Sequence, residues 1–278
     1  MPSTTSRPFP IGRRGAVLFL LILAGAAAYM HLGLSPRQLL PQSGGLEVVR
    51  KFFAGAFRPA LGYESEVPVG TSPLPIKALD AARRTLVFAA AAMSLSLLLG
   101  FALAIPSSSA WWEGQRWGPL IYGAARAVIA LMRSVHELLW AVIFLAAFGL
   151  NTLGAVVAIA IPYGGTLAKV FSEMIDEAAR DSAQAMRATG ASPLQVFFFG
   201  LLPRALPDLF AYAFYRFECA VRASAILGFF GYETLGYFIR ASFENLHYRE
   251  VWTYLYTLFL LVVLIDLWSG RLRRRFVS

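Results

Sequence analysis

Between Leu138 and Ala168 the chain carries no Asp, Glu, Lys or Arg, and that run limits the available folds more than any other feature. As one helix it would be about 46 Å long at 1.5 Å per residue, more than one crossing of a hydrocarbon layer of about 30 Å can use. Gly149-Leu150-Asn151-Thr152 supplies a tight turn at its middle. The run therefore divides into a third span near Leu131 to Leu150 and a fourth near Thr152 to Met174, leaving Arg133, Glu137, Lys169 and Glu173 near one membrane face. With 58% hydrophobic and only 15% charged residues, the chain has too little polar surface to hide such segments in water. It reads as an all-α polytopic membrane protein.

The other spans follow from the same length argument. Gly15 to about Leu34, behind Arg13-Arg14, is the first; the small residues at Ala24-Gly25-Ala26 and Ala26-Ala27-Ala28 leave a cleaved signal peptide as the alternative. Thr85 to Ile105 is the second, closed by Pro106-Ser107-Ser108-Ser109. About Leu206 to Gly228 is the fifth and about Val251 to Trp268 the sixth, with Trp252, Tyr254, Tyr256 and Trp268 as an interfacial belt. Trp111 to Ala130, mixing tryptophans with Arg116 and Arg126, is expected at the headgroup level. The resulting layout is a cytosolic N-terminus and first span over 1–34, an extracytoplasmic loop over 35–78, a transmembrane domain over 79–270 and a basic tail over 271–278. Within the loop, Leu46 to Phe57 is amphipathic and suited to a membrane surface.

Six spans put both termini and the polar island 181–207 on one side. Connecting-segment arginines and lysines are more numerous there, which places the island and both termini in the cytoplasm. The net charge of +9 is explained the same way, since the arginines gather at the ends of apolar segments; no nucleic-acid partner is implied. The lone Cys219 excludes an intrachain disulfide. His136 beside Glu137, His31 and His247 lack ligand spacing for a metal, and no phosphate-binding GxxxxGK[ST] loop occurs. No cofactor is expected, and any ATP must be used elsewhere.

Three charges fall inside the fifth span, where each costs a few kcal/mol on insertion scales and usually faces a cavity or a partner. Glu218 and Arg222 are four apart in the favourable acid-first order, so they can form a self-neutralising pair. Arg216 lies about 200° round the helix from Glu218 and needs another span's acid or the translocation path. Both roles, packing and pore lining, are open for the three residues, with Arg216 the better path residue for an anion. Pro162-Tyr163-Gly164-Gly165 in the fourth span allows a packing kink or a hinge.

The island reads DSAQAMRATGASPLQVFFFGLLPRALP from Asp181. Asp181 with Gln184 has the spacing of a capping box, Gly190 is a left-handed helix stop, and Ser192-Pro193 starts a second helix. Gln184-Ala185-Met186, then Gly190, then Leu202-Pro203 resembles the E-A-A-x3-G-x9-I-x-L-P loop of permease subunits of ATP-binding-cassette importers. Arg187 to Ser192, Arg133 to Leu138, Tyr215 to Glu218 and Val221 to Ser224 make the wording similar to the phosphonate-transporter permeases, over roughly residues 80–275. Gln184 stands for the motif's glutamate and Gly200 for its isoleucine, while Glu177-Ala178-Ala179 has the wrong distance to Gly190.

The resemblance implies a MetI-like core and a permease without enzymatic activity of its own. It also implies a second permease copy, separate ATPase subunits, an extracytoplasmic substrate-binding protein and residence in a bacterial inner membrane. It assigns ATPase coupling to Gln184, Ala185, Gly190, Ala191, Leu202 and Pro203. The family's G-A-G-G-I-G after the fifth span is replaced by Gly231-Tyr232-Glu233-Thr234-Leu235-Gly236, so a related oxyanion or another small solute stays open beside phosphonate. An ion-coupled transporter would show two similar halves, and a membrane enzyme a nucleophile or metal cluster; neither is evident.

Overall fold

A computed structural model describes residues 13–33, 35, 44–68, 70–112, 115–178 and 181–277. Two compact units divide the chain, residues 1–53 and 54–278. The first holds α1 (Arg13–His31), whose apolar stretch Gly15–His31 is shorter than a full span. The expected end of the first span at Leu34, the cytosolic residues 1–12 and loop residues 36–43 lie outside the described residues. The expected amphipathic piece forms α2 (Gly45–Ala56), which crosses the boundary between the units and carries a Glu47–Lys51 ion pair of 2.8 Å one turn apart.

The second unit contains only helices among its described residues. Four of them are long and apolar enough to span: α3 (Leu74–Ala104), α6 (Thr152–Glu177), the stretch Val196–Phe230 that contains α9 (Leu202–Ile226), and α11 (Tyr248–Val277). The expected third span from Leu131 to Leu150 is not one helix. It is replaced by α4 (Gly118–Ser134) and α5 (Glu137–Phe148), bent by 83°. The cause is local: Val135 and His136 are both extended, and His136 Nδ1 accepts the Leu138 amide at 3.3 Å, capping a new helix. Counting the bent pair as one crossing gives five spans, so six is not reached among the described helices.

The split of the charge-free run falls where the sequence puts it. Gly149 ends α5 at φ +70°, and the Asn151 side chain accepts the Leu153 amide at 2.9 Å to begin α6. Helix α6 then runs unbroken through Pro162 and packs along α3 on small residues. A β-carbon on Gly100 would sit 2.8 Å from Leu167 Cβ, and one on Gly164 2.9 Å from Leu99 Cβ. Such backbone approach is the membrane route to dispersion energy, since lipid removes the hydrophobic drive between helices. Gly164 and Gly165 therefore serve packing here. Tyr254 also departs from its expected place in an interfacial belt: it is 1% exposed and stacks on Phe238 at 5.5 Å.

A polar clamp joins the end of α3 to the end of α6. The Asp176 carboxylate accepts the Ser108 hydroxyl at 2.6 Å and the Ser109 and Ala110 amides at 2.9 and 3.1 Å. Those amides open a single 3-10 turn, Ser109–Trp111, whose free N–H groups favour an anion. Trp111 then packs edge-on against Phe197 at 4.7 Å. Asp176→Ala is expected to destabilise the detergent-purified chain by about 2 kcal/mol, because charge-assisted bonds are worth more than neutral ones, and Asp176→Asn by less. Thermal unfolding of the two variants beside the wild type checks this order.

Candidate functional site

The island 181–207 folds as a helical elbow. Helix α7 (Asp181–Ala188) ends in a complete Schellman motif: the Ala191 amide donates to Met186 O at 3.1 Å, the Gly190 amide donates to Arg187 O at 3.0 Å, and Gly190 has φ +83°. Asp181 sits in the first turn of α7, and among the bonds of the described residues none joins it to the Gln184 amide. The reciprocal capping box occurs one step later. The Ser192 amide donates to Gln195 Oε1 at 2.9 Å and the Gln195 amide to Ser192 Oγ at 3.4 Å, opening the short α8 (Pro193–Gln195).

A π-helical turn, Val196–Leu201, leads into α9. Pro203 offers no amide hydrogen, and its ring would crowd the carbonyl four residues back in an α-helix. Widening the preceding turn relieves both, as π-bulges do. Gly200 allows the fold-back. A β-carbon there would meet Met186 Sδ at 3.3 Å and Ala183 Cα at 3.5 Å, so the residue replacing the motif's isoleucine is where α7 lies on the turn. Ala183, Val196, Phe197 and Leu201 are buried in one cluster with Phe171 and Leu209. The outer face is open: Gln184, Ala185, Gly190 and Pro203 are exposed, while Ala191 and Leu202 are half-buried against the cluster.

The second group of residues lies within the helix bundle. Arg216 is half-buried, its guanidinium carbon 4.2 Å from the centroid of the Tyr163 ring, and its Nε is buried without a hydrogen-bond partner. A cation over an aromatic face is stabilised by about 0.5–2 kcal/mol. Arg222 is exposed and donates from Nη2 to Cys219 Sγ at 3.5 Å. The expected Glu218–Arg222 pair does not form. Glu218 instead faces Arg273, with Oε1 3.1 Å from Nη2, an ion pair by distance that lacks hydrogen-bond geometry.

The reason lies in α11. Arg271 to Arg275, expected as a basic tail, continue its helix, and Arg273 extends back along it toward the helix N-terminus, the direction helical side chains favour. Its Nη2 also comes within 3.9 Å of Asp266 Oδ1. Sequence spacing could not reveal this, because the partners are far apart in the chain. Among the described residues no acid pairs with Arg133, Arg216 or Arg222, whereas Lys169 and Arg126 share Glu173 at 3.5 and 3.3 Å. Tyr212 is near enough to Arg133 and Arg216 to feel their charge, and Tyr163 to Arg216 and Arg222. Three cations without an ion pair thus lie around two tyrosines, with the Glu137 carboxylate close enough to act on Tyr163 and the Glu218 carboxylate on Arg222. Sequence reading missed Tyr163 and Arg133 as members of this group; their only signal was the aromatic ring beside Pro162 and a cation at the end of α4.

The far end of the bundle also departs from expectation. The acid of Gly231-Tyr232-Glu233-Thr234-Leu235-Gly236 is paired, with Glu233 Oε2 2.5 Å from Arg84 Nη1, and Arg84 Nε reaches Asp80 Oδ2 at 2.8 Å. The Tyr232 hydroxyl donates to Asn151 O at 3.1 Å. After it, α10 (Leu235–Glu244) is a helix that lies outside every expected span.

A family model described as the binding-protein-dependent transport system inner membrane component matches residues 96–278, more than half of the sequence. The chain belongs to this family. It is 36% identical over 158 residues to a phosphite transport system permease protein of Stutzerimonas stutzeri, covering 57% of this chain and 58% of that protein. It is 31% identical over 220 residues to a phosphate-import permease protein of Mycolicibacterium smegmatis, covering 79% of this chain and 41% of that one. The chain thus spans well under two thirds of the length of these relatives. Its fold matches a chain of the inward-facing MetNI methionine ABC transporter with a TM-score of 0.61 at 22% identity, over 71% of this chain and 95% of that one. The MetI-like permease core expected from the 181–207 motif is the fold observed.

Proposed function

We propose that this chain is the membrane-embedded permease subunit of an ATP-binding-cassette importer, passing a small oxyanion of the phosphonate, phosphite or phosphate type. The chain itself hydrolyses nothing. Separate ATPase subunits drive it, a second permease copy completes the path, and an extracytoplasmic binding protein delivers the solute. It resides in a bacterial inner membrane with the elbow in the cytoplasm.

The observation that carries this reading is the elbow itself. Its inner face is locked into the bundle core by Ala183, Phe197 and Leu201, while Gln184, Ala185 and Gly190 stay open to a partner. A short rigid helix in this position passes on a partner's movement as a discrete shift, because packed interfaces switch between arrangements. Helix α9 begins directly beyond it and carries Arg216 and Arg222. Motion at the elbow is thus motion of the path's cations. A phosphorus oxyanion is supported by the two relatives' names, phosphite and phosphate, and by three arginines without an ion-pair partner around Tyr163 and Tyr212, since guanidinium matches oxyanion geometry.

The test is proximity in intact cells. A cysteine at Ala185 (Ala185→Cys) is expected to crosslink to a P-loop ATPase subunit with a short bifunctional thiol reagent, and the yield should change when ATP is trapped on the ATPase. Labelling of that cysteine only from outside the cell, or crosslinks that never reach an ATPase, would overturn the reading.

A further inference from the structure

Of the two acids in α9, Asp208 is exposed and Glu218 is buried, its side chain only 10% exposed. A buried carboxylate left without a cation is costly, so it takes the nearest one. On its own helix that cation is Arg222, four residues on and in the favourable order. The structure shows a different choice. Arg273, seven residues beyond Asp266 on α11, projects back past Ser269 and Gly270 and places Nη2 3.1 Å from Glu218. The small residues leave it room: Ser269 is fully buried, and a β-carbon on Gly270 would come within 3.9 Å of the Arg273 guanidinium.

We infer that Arg273 is a positioning residue for the anion path: by pairing with Glu218, it keeps that carboxylate from forming a direct ion pair with Arg222 in the Arg133, Arg216 and Arg222 group. This rests on the reading of that group as part of an oxyanion path. Arg273 itself touches no solute. Without it, Glu218 turns to Arg222, one of three cations is neutralised, and the carboxylate's repulsion of an incoming anion grows. The attraction falls at the moment it is needed, since opposite and like charges act strongly where water is excluded. The pair also ties α11 to α9, so the last turns of the chain set the charge of a helix that begins at the elbow.

The experiment uses the full-length chain with its ATPase and binding protein in cells lacking the native copy. The probe is whichever of labelled methylphosphonate, phosphite or phosphate the wild type takes up best. Arg273→Gln is expected to raise the KM for uptake about tenfold, equivalent to about 1.4 kcal/mol, with Vmax and membrane abundance unchanged. Arg273→Lys should keep the wild-type KM. In the Glu218→Gln/Arg273→Gln double variant no carboxylate remains to cancel Arg222, so the KM should return to the wild-type value. A purely structural ion pair would lower abundance or Vmax and leave KM in place. An unchanged KM in Arg273→Gln, or a double variant as impaired in KM as the single, would overturn the inference. If Arg273→Gln does not accumulate, the double variant decides by the same criterion. Arg216→Gln separates the two levels: wild-type uptake by that variant, or uptake of none of the three solutes by the wild type, sinks the path reading itself. An inactive Arg216→Gln beside an unrescued double sinks the role of Arg273 alone.

Discussion

Replacing Arg216 with alanine is expected to cut oxyanion uptake by about a hundredfold or more, about 2.7 kcal/mol of lost stabilisation of the moving anion. Membrane abundance and association with the ATPase should stay at wild-type levels or rise. The two expectations come from one fact. A guanidinium held inside a span costs about 2.5–3.5 kcal/mol on insertion scales, and here no acid offsets it. Its visible partner is the Tyr163 ring at 4.2 Å, while its Nε is buried and unbonded. The ring returns about 0.5–2 kcal/mol, so as a structural element Arg216 is a net burden. A burden of that kind persists where it does something for a ligand. Uptake by membrane vesicles, read beside immunoblots and co-purification of the ATPase, checks both halves. Loss of assembly in the alanine variant would make Arg216 a packing residue.

Gly236→Ala should prevent the chain from accumulating as folded protein. A β-carbon at that position would fall inside the contact distance of the Ala225 carbonyl oxygen, and one on Gly228 would do the same to the Tyr237 amide nitrogen. Both obstacles are backbone atoms, which cannot rotate away as a side chain can. The two glycines let the start of α10 lie directly on the end of α9. Thr234 Oγ1 seals the contact by donating to Ala225 O at 3.0 Å, and the Thr85 hydroxyl receives the Leu235 amide at 3.1 Å. Overpacking usually costs about 1–3 kcal/mol, and a backbone clash with lost buried hydrogen bonds belongs among the changes above about 4 kcal/mol. Gly123→Ala is the control. It meets nothing within 4 Å on α4 and improves helix propensity, so thermal unfolding in detergent should show it unchanged or slightly more stable.

These two positions differ in how visible they are in the chain. Arg216 stands out because a charge in an apolar run is conspicuous, and the argument that it lacks a partner on its own helix needs only the helical repeat. Gly236 does not stand out. It lies between two expected spans, and its importance comes from α9, which reaches it only through the fold. The same contrast holds across the site. Gly190 and Ser192-Pro193 announce their turns through local chemistry, and the Schellman bonds and the Ser192–Gln195 box form where that chemistry allows. The helical repeat likewise puts Glu218 within reach of Arg222, yet Glu218 lies against Arg273. A helical repeat states which residues can meet, while competition from another helix decides which do.

The bend between α4 and α5 has a similar explanation. Hydropathy averages over many residues and is blind to two extended ones, Val135 and His136, that turn a single apolar run by 83°. Tyr254 was assigned to an interface by residue type, but Phe238 of α10 covers it, and α10 was not anticipated.

By itself the amino-acid order determined that the chain is helical and membrane-embedded, that its charge-free run divides at Asn151, and that a capped elbow at 181–207 precedes the helix carrying Arg216. Those features depend on solvation and on bonds within one turn, which near neighbours fix. The tertiary structure alone decided that Arg273 takes Glu218, that Tyr163 lies under Arg216, and that α9 and α10 touch through two glycines. Each of these is a meeting between distant segments, settled by helix crossing and side-chain reach, and no local pattern encodes which crossing wins.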